Sequence, residues 1–177
     1  MKKIILILTC ILFLTSCSSK EIKGYTDLLR SPQKVSNEKF EKLISAIETQ
    51  NENELRNLFS KTVVDESENF SESASALFDF YRGEMKTYKY WSATASSRKK
   101  RTGERWRTVD ASYDVETTEG AFCFAFKTVT IDNTNSDNLG ISSLYIIDYE
   151  NSDKGFAYWG DGEWTPGINI VTEKQGD

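Results

Sequence analysis

A change of hydrophobic period at Gly83 constrains this chain more than any other feature. Upstream, apolar residues recur at helical spacing: Phe40, Leu43, Ile44 and Ile47 fall at i, i+3, i+4 and i+7, and Phe70, Ala74, Leu77, Phe78 and Tyr81 share a second stripe. Downstream, the period drops towards two, so that Val109, Ala111, Tyr113 and Val115 alternate with Thr108, Asp110, Ser112 and Asp114. All four tryptophans lie beyond the break, as suits sheet-forming sequence. Helices followed by consecutive strands predict an α+β fold, with three N-terminal helices packed on a curved antiparallel meander of about five strands. The first helix is expected to start at Ser36, which would act as N-cap inside a Val35–Phe40 hydrophobic staple. A short helix should follow over about 52–60 and a third over about 68–82, closed by a left-handed Gly83. Strands are expected at about 85–95, 104–117, 120–131, 140–150 and 155–159.

The first residues carry an address. Met1-Lys2-Lys3 precedes an apolar run from Ile4 to Leu14, and Leu14-Thr15-Ser16-Cys17 follows. A run of 11 residues covers only about half of a bilayer core at about 1.5 Å per residue, so a secretory leader fits better than a membrane span. The Leu14 to Cys17 stretch resembles the lipobox of bacterial lipoproteins. The resemblance implies cleavage before Cys17 and acylation of its thiol, which would anchor the chain to the lipid bilayer. The expected organisation is a signal peptide over 1–16, a lipidated N-terminus and tether over 17–35, one domain over 36–170 and a flexible tail over 171–177.

Several function classes are closed by composition. The chain of 177 residues contains no histidine, which removes Ser-His and Cys-His nucleophile pairs, histidine metal sites and the usual near-neutral proton shuttle. No metal and no cofactor is expected. Of three cysteines, Cys10 would leave with the leader and Cys17 would be acylated. Cys123 then has no partner for an intramolecular disulfide, and its apolar setting, Ala121-Phe122-Cys123-Phe124-Ala125-Phe126, predicts a buried, inert thiol. The formal charge of -5 and the extracytoplasmic address argue against nucleic acid as a partner.

Two motif sets dissolve on inspection. Ser97-Arg98-Lys99-Lys100, Ser136-Asp137-Asn138 and Arg101-Thr102-Gly103 imitate the three motifs of penicillin-interacting serine enzymes, but the third abuts the first instead of lying beyond the second. The Asx-rich loop from Asp132 to Gly140 fails the spacing of a calcium-binding EF-hand, with Thr134, Asp137 and Ser143 at the third, sixth and twelfth positions, and reads as a polar hairpin loop.

Two constellations remain. Arg98, Lys99, Lys100, Arg101, Arg105 and Arg107 crowd a predicted hairpin opposed only by Glu104, in an otherwise acidic chain, and suit an anionic envelope component. Separately, Trp91, Arg107, Tyr113 and Tyr145 could line a cavity between helices and sheet, suited to a small amphipathic or anionic ligand. For catalysis such a pocket needs a carboxylate, and Asp79 and Asp148 are the candidates because each interrupts an apolar segment.

The order of helix, short helix, helix and curved meander resembles the cone-shaped, cystatin-like fold shared by nuclear transport factor 2, ketosteroid isomerase and polyketide cyclases. More specifically, Ala46-Ile47-Glu48 with Asn51, Glu54-Leu55 and Leu58-Phe59-Ser60, then Leu77-Phe78-Asp79-Phe80-Tyr81-Arg82-Gly83 and Phe156-Ala157-Tyr158-Trp159-Gly160-Asp161, look like a family of bacterial lipoproteins known as a domain of unknown function. That resemblance spans about residues 36–165 and implies a fold and an extracytoplasmic lipoprotein, with no activity to carry over. The resulting expectation is a noncatalytic ligand-binding or accessory module on the outer side of a bacterial membrane, of open oligomeric state. A small carboxylate-dependent enzyme of isomerase or cyclase type is the alternative.

Overall fold

A computed structural model describes residues 30–149 and 158–171. The expected leader, the acylation site Cys17, the tether up to residue 29 and the tail from 172 lie outside the described residues. Four helices precede the sheet: α1 (Pro32–Glu48), α2 (Glu52–Leu58), α3 (Lys61–Glu66) and α4 (Phe70–Phe80). Five strands follow, β1 (Met85–Lys99), β2 (Arg105–Thr117), β3 (Ala121–Asp132), β4 (Gly140–Asp148) and β5 (Gly167–Val171), in spatial order β1-β2-β3-β4-β5. The α+β class follows as expected, as an open and mostly antiparallel sheet, an arrangement consistent with a cone.

Helix α1 begins four residues before the expected Ser36. Ser31 is the cap, accepting a hydrogen bond from the Lys34 amide at 3.2 Å, and Pro32 opens the helix with a pre-set φ and no amide to satisfy. Ser36 is instead buried inside the helix, where its hydroxyl donates back to the Gln33 carbonyl at 3.0 Å. Helix α3 was not anticipated, because Lys61–Glu66 is too short to show a period. It is set off by Phe59 and Ser60, which break the helical run to bridge β4: the Ser60 amide donates to the Ile141 carbonyl at 2.9 Å. Gly140 makes this approach feasible, since a Cβ there would sit 2.7 Å from the Phe59 and Ser60 backbone at a φ of +127°.

The helices cover one face of the sheet. Phe40, Leu43, Ile44 and Ile47 of α1 and Ala74 and Leu77 of α4 pack on Tyr113, Phe122, Phe124, Phe126, Leu144 and Ile146. At the centre the Tyr113 ring lies parallel to Phe40 at 4.0 Å and to Phe126 at 6.0 Å. The Tyr113 hydroxyl reaches both Ser36 Oγ and Asn37 Oδ1 at 2.8 Å, tying β2 to the first turns of α1.

Strand five departs from the expected meander. β5 pairs with β4 in parallel, Ser143 opposite Gly167 and Ile147 opposite Val171, so the chain must return along the sheet before pairing. The predicted strand at 155–159 falls partly outside the described residues, and Tyr158 and Trp159 form a helical turn. Residues 158–166 form a strap over the second face, where Cys123, Ala125, Tyr145 and Ile147 are buried with Tyr158, Trp164 and Val171 against them.

Candidate functional site: a basic cleft at the end of the sheet

The β1–β2 turn and the β3–β4 loop stand side by side at one end of the sheet. In the turn, the Lys100 amide donates to the Glu104 carbonyl at 2.9 Å and the Gly103 amide to the Lys100 carbonyl at 3.1 Å, with Gly103 at a φ of +91° that favours glycine. In the loop, Asp132 Oδ1 accepts from the Thr134 amide and hydroxyl and the Asn135 amide, and Oδ2 from the Asn138 side chain at 2.8 Å. These bonds, those from Asn138 and Thr134 foremost, hold the Asp132 carboxyl well below the usual aspartate range, while Oδ2, with one of the four donors, keeps a lone pair for a further partner. Asn133 joins the two segments: its side-chain oxygen accepts from the Arg105 amide at 2.7 Å, its amide donates to the Arg105 carbonyl at 3.2 Å, and its Nδ2 donates to the Gly103 carbonyl at 3.1 Å. The loop is also held to α3, where the Thr62 hydroxyl donates to Asn138 Oδ1 at 2.8 Å.

Between them lies a cleft of about 300 Å³, lined by Arg98, Lys100, Glu104, Arg105, Trp106, Asp132 and Thr134. Its floor is a cross-strand row, Arg98 of β1 beside Trp106 of β2 beside Asp132 of β3. Trp106 is 39 % exposed, a large apolar surface to leave in water at the end of a strand. Lys100 pairs with Glu104 and holds that carboxyl below its usual range, whereas Arg98, Lys99 and Arg101 make no ion pair among the described residues.

A sequence profile described as a domain of unknown function, DUF5104, matches residues 42–149, more than half of the chain. The chain belongs to this family. The matched stretch holds α2 to α4, strands β1 to β4 and the whole cleft; the strap and β5 lie beyond it. No curated protein matches the chain.

In this family member the expected cavity residues do not converge. Tyr113 is fully buried in the helix-side core, Tyr145 is buried on the opposite face of the sheet, and Trp91 is 43 % exposed beside the strap. The reason is a bulge in β1 between Tyr90 and Ser92, which turns the Trp91 indole onto the strap side, where it donates to Asp114 and packs on Tyr158 at 4.7 Å. Arg107 is buried, 4 % exposed, and alternates away from Trp106, so it belongs to neither the cleft nor an outward basic surface. Six outward cations therefore reduce to Arg98, Lys99, Lys100 and Arg101, with Arg105 half-buried at the cleft wall.

The two expected catalytic carboxylates are apart from the cleft and from each other. Asp79 is exposed on α4, and Asp148 ends β4 with Arg82 at 3.7 Å. Sequence reading missed a third, Asp110, whose Oδ1 is buried without a hydrogen-bond partner among the described residues; burial pushes its carboxyl up, against the pull of Lys127 directly across the sheet. The alternation of β2 placed Asp110 on the wet face, and only the strand register shows that Lys127 opposes it. Also missed were Trp106, Asp132 and Thr134 as cleft walls, since they depend on which loops become neighbours. Among the described residues no group of three or more acidic, cysteine or histidine side chains could hold a metal ion, and no helix is long and apolar enough to cross a membrane.

Proposed function

We propose that this protein is a lipid-anchored, extracytoplasmic bacterial lipoprotein that acts as a noncatalytic module and binds an anionic envelope component at the β1–β2 end of its sheet. The observation that carries the reading is the cleft: an exposed indole and an arginine with no ion pair among the described residues in one cross-strand row, braced by a two-loop network centred on Asn133. Such bracing lowers the ordering cost of binding. The lipobox-like Leu14 to Cys17 stretch supports the address, and an anchor there would confine the cleft beside anionic headgroups and wall polymer. A carboxylate-dependent enzyme has one observation in its favour, the raised and buried Asp110, which would make that residue a stronger candidate base than Asp79 or Asp148.

Two measurements test the reading. Cys17→Ala should yield an unprocessed chain that keeps its leader and whose mass includes no acyl chains; an acylated Cys17→Ala protein would remove the anchor from the proposal. Residues 18–177, produced without leader or acyl chain, should sediment with isolated bacterial envelopes at low salt and release at high salt, and Arg98→Glu with Arg101→Glu should abolish that retention. Retention indifferent to both salt and charge reversal would overturn the anionic contact.

A further inference from the structure

We infer that the cleft takes an anionic saccharide unit, a sugar phosphate or a uronate, in place of a bare anionic surface; this rests on the reading above and names its ligand class. Three cations, Arg98, Lys100 and Arg105, face two carboxylates, Glu104 and Asp132, so the cleft carries a small net positive charge. A site built for a polyanion would gain nothing from two carboxylates on its rim, because each repels every phosphate that approaches. A polyhydroxyl ligand reverses that sign. Its hydroxyls donate to carboxylate oxygens and to the Thr134 hydroxyl oxygen, whose own proton goes to Asp132, while a single anionic group satisfies one guanidinium.

Geometry supports the same class. Trp106 presents a partly exposed indole in the middle of the row, a flat apolar platform of the kind on which the C–H face of a sugar ring rests. Arg98 sits directly across one strand and Asp132 across the other, about 5 Å away at Cβ for opposed residues, which brackets one ring between an anion site and an acceptor site. A volume of about 300 Å³ holds one or two such rings and is at the small end of ligand pockets. Lys100 is tied to Glu104 and Arg105 is half-buried at the wall, so Arg98, exposed and in no ion pair among the described residues, is the cleft's principal anion partner.

The test uses the full chain in micelles of neutral-headgroup detergent, following the indole N–H resonances of its four tryptophans, with Trp106 assigned by Trp106→Phe. Glucose 1-phosphate and galacturonate should each move the Trp106 resonance saturably, while glucose and inorganic phosphate bind at least about tenfold more weakly, a difference of about 1.4 kcal/mol. Arg98→Gln should weaken both anionic sugars by about tenfold or more with the other three indoles unmoved, and Lys99→Gln, which alternates away from the row, should leave both affinities as they were. Equal binding of inorganic phosphate and sugar phosphate would overturn the inference in favour of a plain anion contact. Movement of Trp106 with phosphatidylglycerol vesicles, and none with sugars, would overturn it in favour of a lipid headgroup while leaving salt-sensitive envelope retention intact. No movement with any probe would also overturn it.

Discussion

The two faces of the sheet are held by different physics. On the helix side, rings stack on rings: Phe40, Tyr113 and Phe126 lie nearly parallel, with Phe124 and Tyr88 edge-on to Phe40, and tyrosine hydroxyls enter with partners, Tyr113 on Ser36 and Asn37 and Tyr81 on Glu48. On the strap side, directed bonds fasten a narrow segment. The Tyr145 hydroxyl accepts from the Thr165 amide at 2.8 Å and pairs with Asp161; the Ser112 hydroxyl donates to the Tyr158 carbonyl at 2.7 Å; Lys127 lies 5.0 Å over the Trp164 ring. Burial of apolar area is tolerant of small shifts and large in sum, whereas a strap held by a few bonds fails when one of them goes. The helix side should therefore set global stability, and the strap should open by itself at lower cost.

The largest expected effect is on the helix side. Tyr113→Ala empties the middle of the ring stack and leaves Ser36 buried without its tyrosine partner; a loss of about 3–5 kcal/mol in urea unfolding is expected. A loss below about 1 kcal/mol would mean that the stack is loosely packed and the contrast between faces is false.

Tyr145→Phe should cost less globally, about 1–3 kcal/mol, and act locally by stranding the Thr165 amide and freeing Asp161. Amide exchange over 158–166 should quicken while exchange in α1 stays slow. Uniform acceleration in both would show that strap and core open as one unit.

Acid offers a graded version of the same experiment. Burial pushes Asp161 up, but hydrogen bonds from Thr165, Tyr145 and the Trp164 and Glu163 amides outweigh it and hold the carboxyl at about 2. A carboxyl depressed in the folded state contributes stability above its unfolded value of about 3.9, and that contribution is lost as pH falls through about 2. Near-ultraviolet dichroism from Trp164 should thus decline between about pH 4 and pH 2 ahead of the far-ultraviolet signal from the helices. Coincident loss of both signals would erase the distinction.

The smallest effect is expected at the thiol. Cys123 is fully buried on the strap side, with its sulfur 3.2 Å from Asp114 Oδ1. The alternation of this apolar segment predicts a cost of about 1–3 kcal/mol for Cys123→Ser if the hydroxyl goes unpaired. Asp114 supplies an acceptor, so the loss should shrink to about 1 kcal/mol or less by the same reasoning, and a larger loss in denaturant melts would show that Asp114 does not turn to meet it.

Legibility in the sequence follows the same divide. Helix stripes and β2 alternation announced the helix-side core, because burial against a broad layer leaves a period in the residues. The strap left no such trace: it is an irregular segment fastened through Asp161, Gly160 and Tyr158, and the parallel return of β5 has no local signal. At the cleft the run Arg98 to Arg107 was visible as charge. The burial of Arg107 was also implicit in its parity with Val109, yet charge-counting along the chain treats adjacent cations as if all pointed outward. Trp106 and Asp132 could not be joined to Arg98 without the register of β2 against β3, which pairs residues 26 apart in the chain.

The parallel β4–β5 pairing has a consequence for handling the chain while it folds. In chain order, 18 residues separate Asp148 from Gly167, and until β5 arrives the outer edge of β4, with Leu144, Ile146 and Ile147, is a bare row of amides and carbonyls flanked by apolar side chains. β1, at the other edge, is interrupted by two irregularities and carries Lys86, Lys89, Arg98 and Lys99, which discourage another strand from adding on. β4 has no such guard of its own. Its protection is the five-residue β5, so a lesion in Gly167–Val171 should show itself as self-association through β4 before it shows as unfolding.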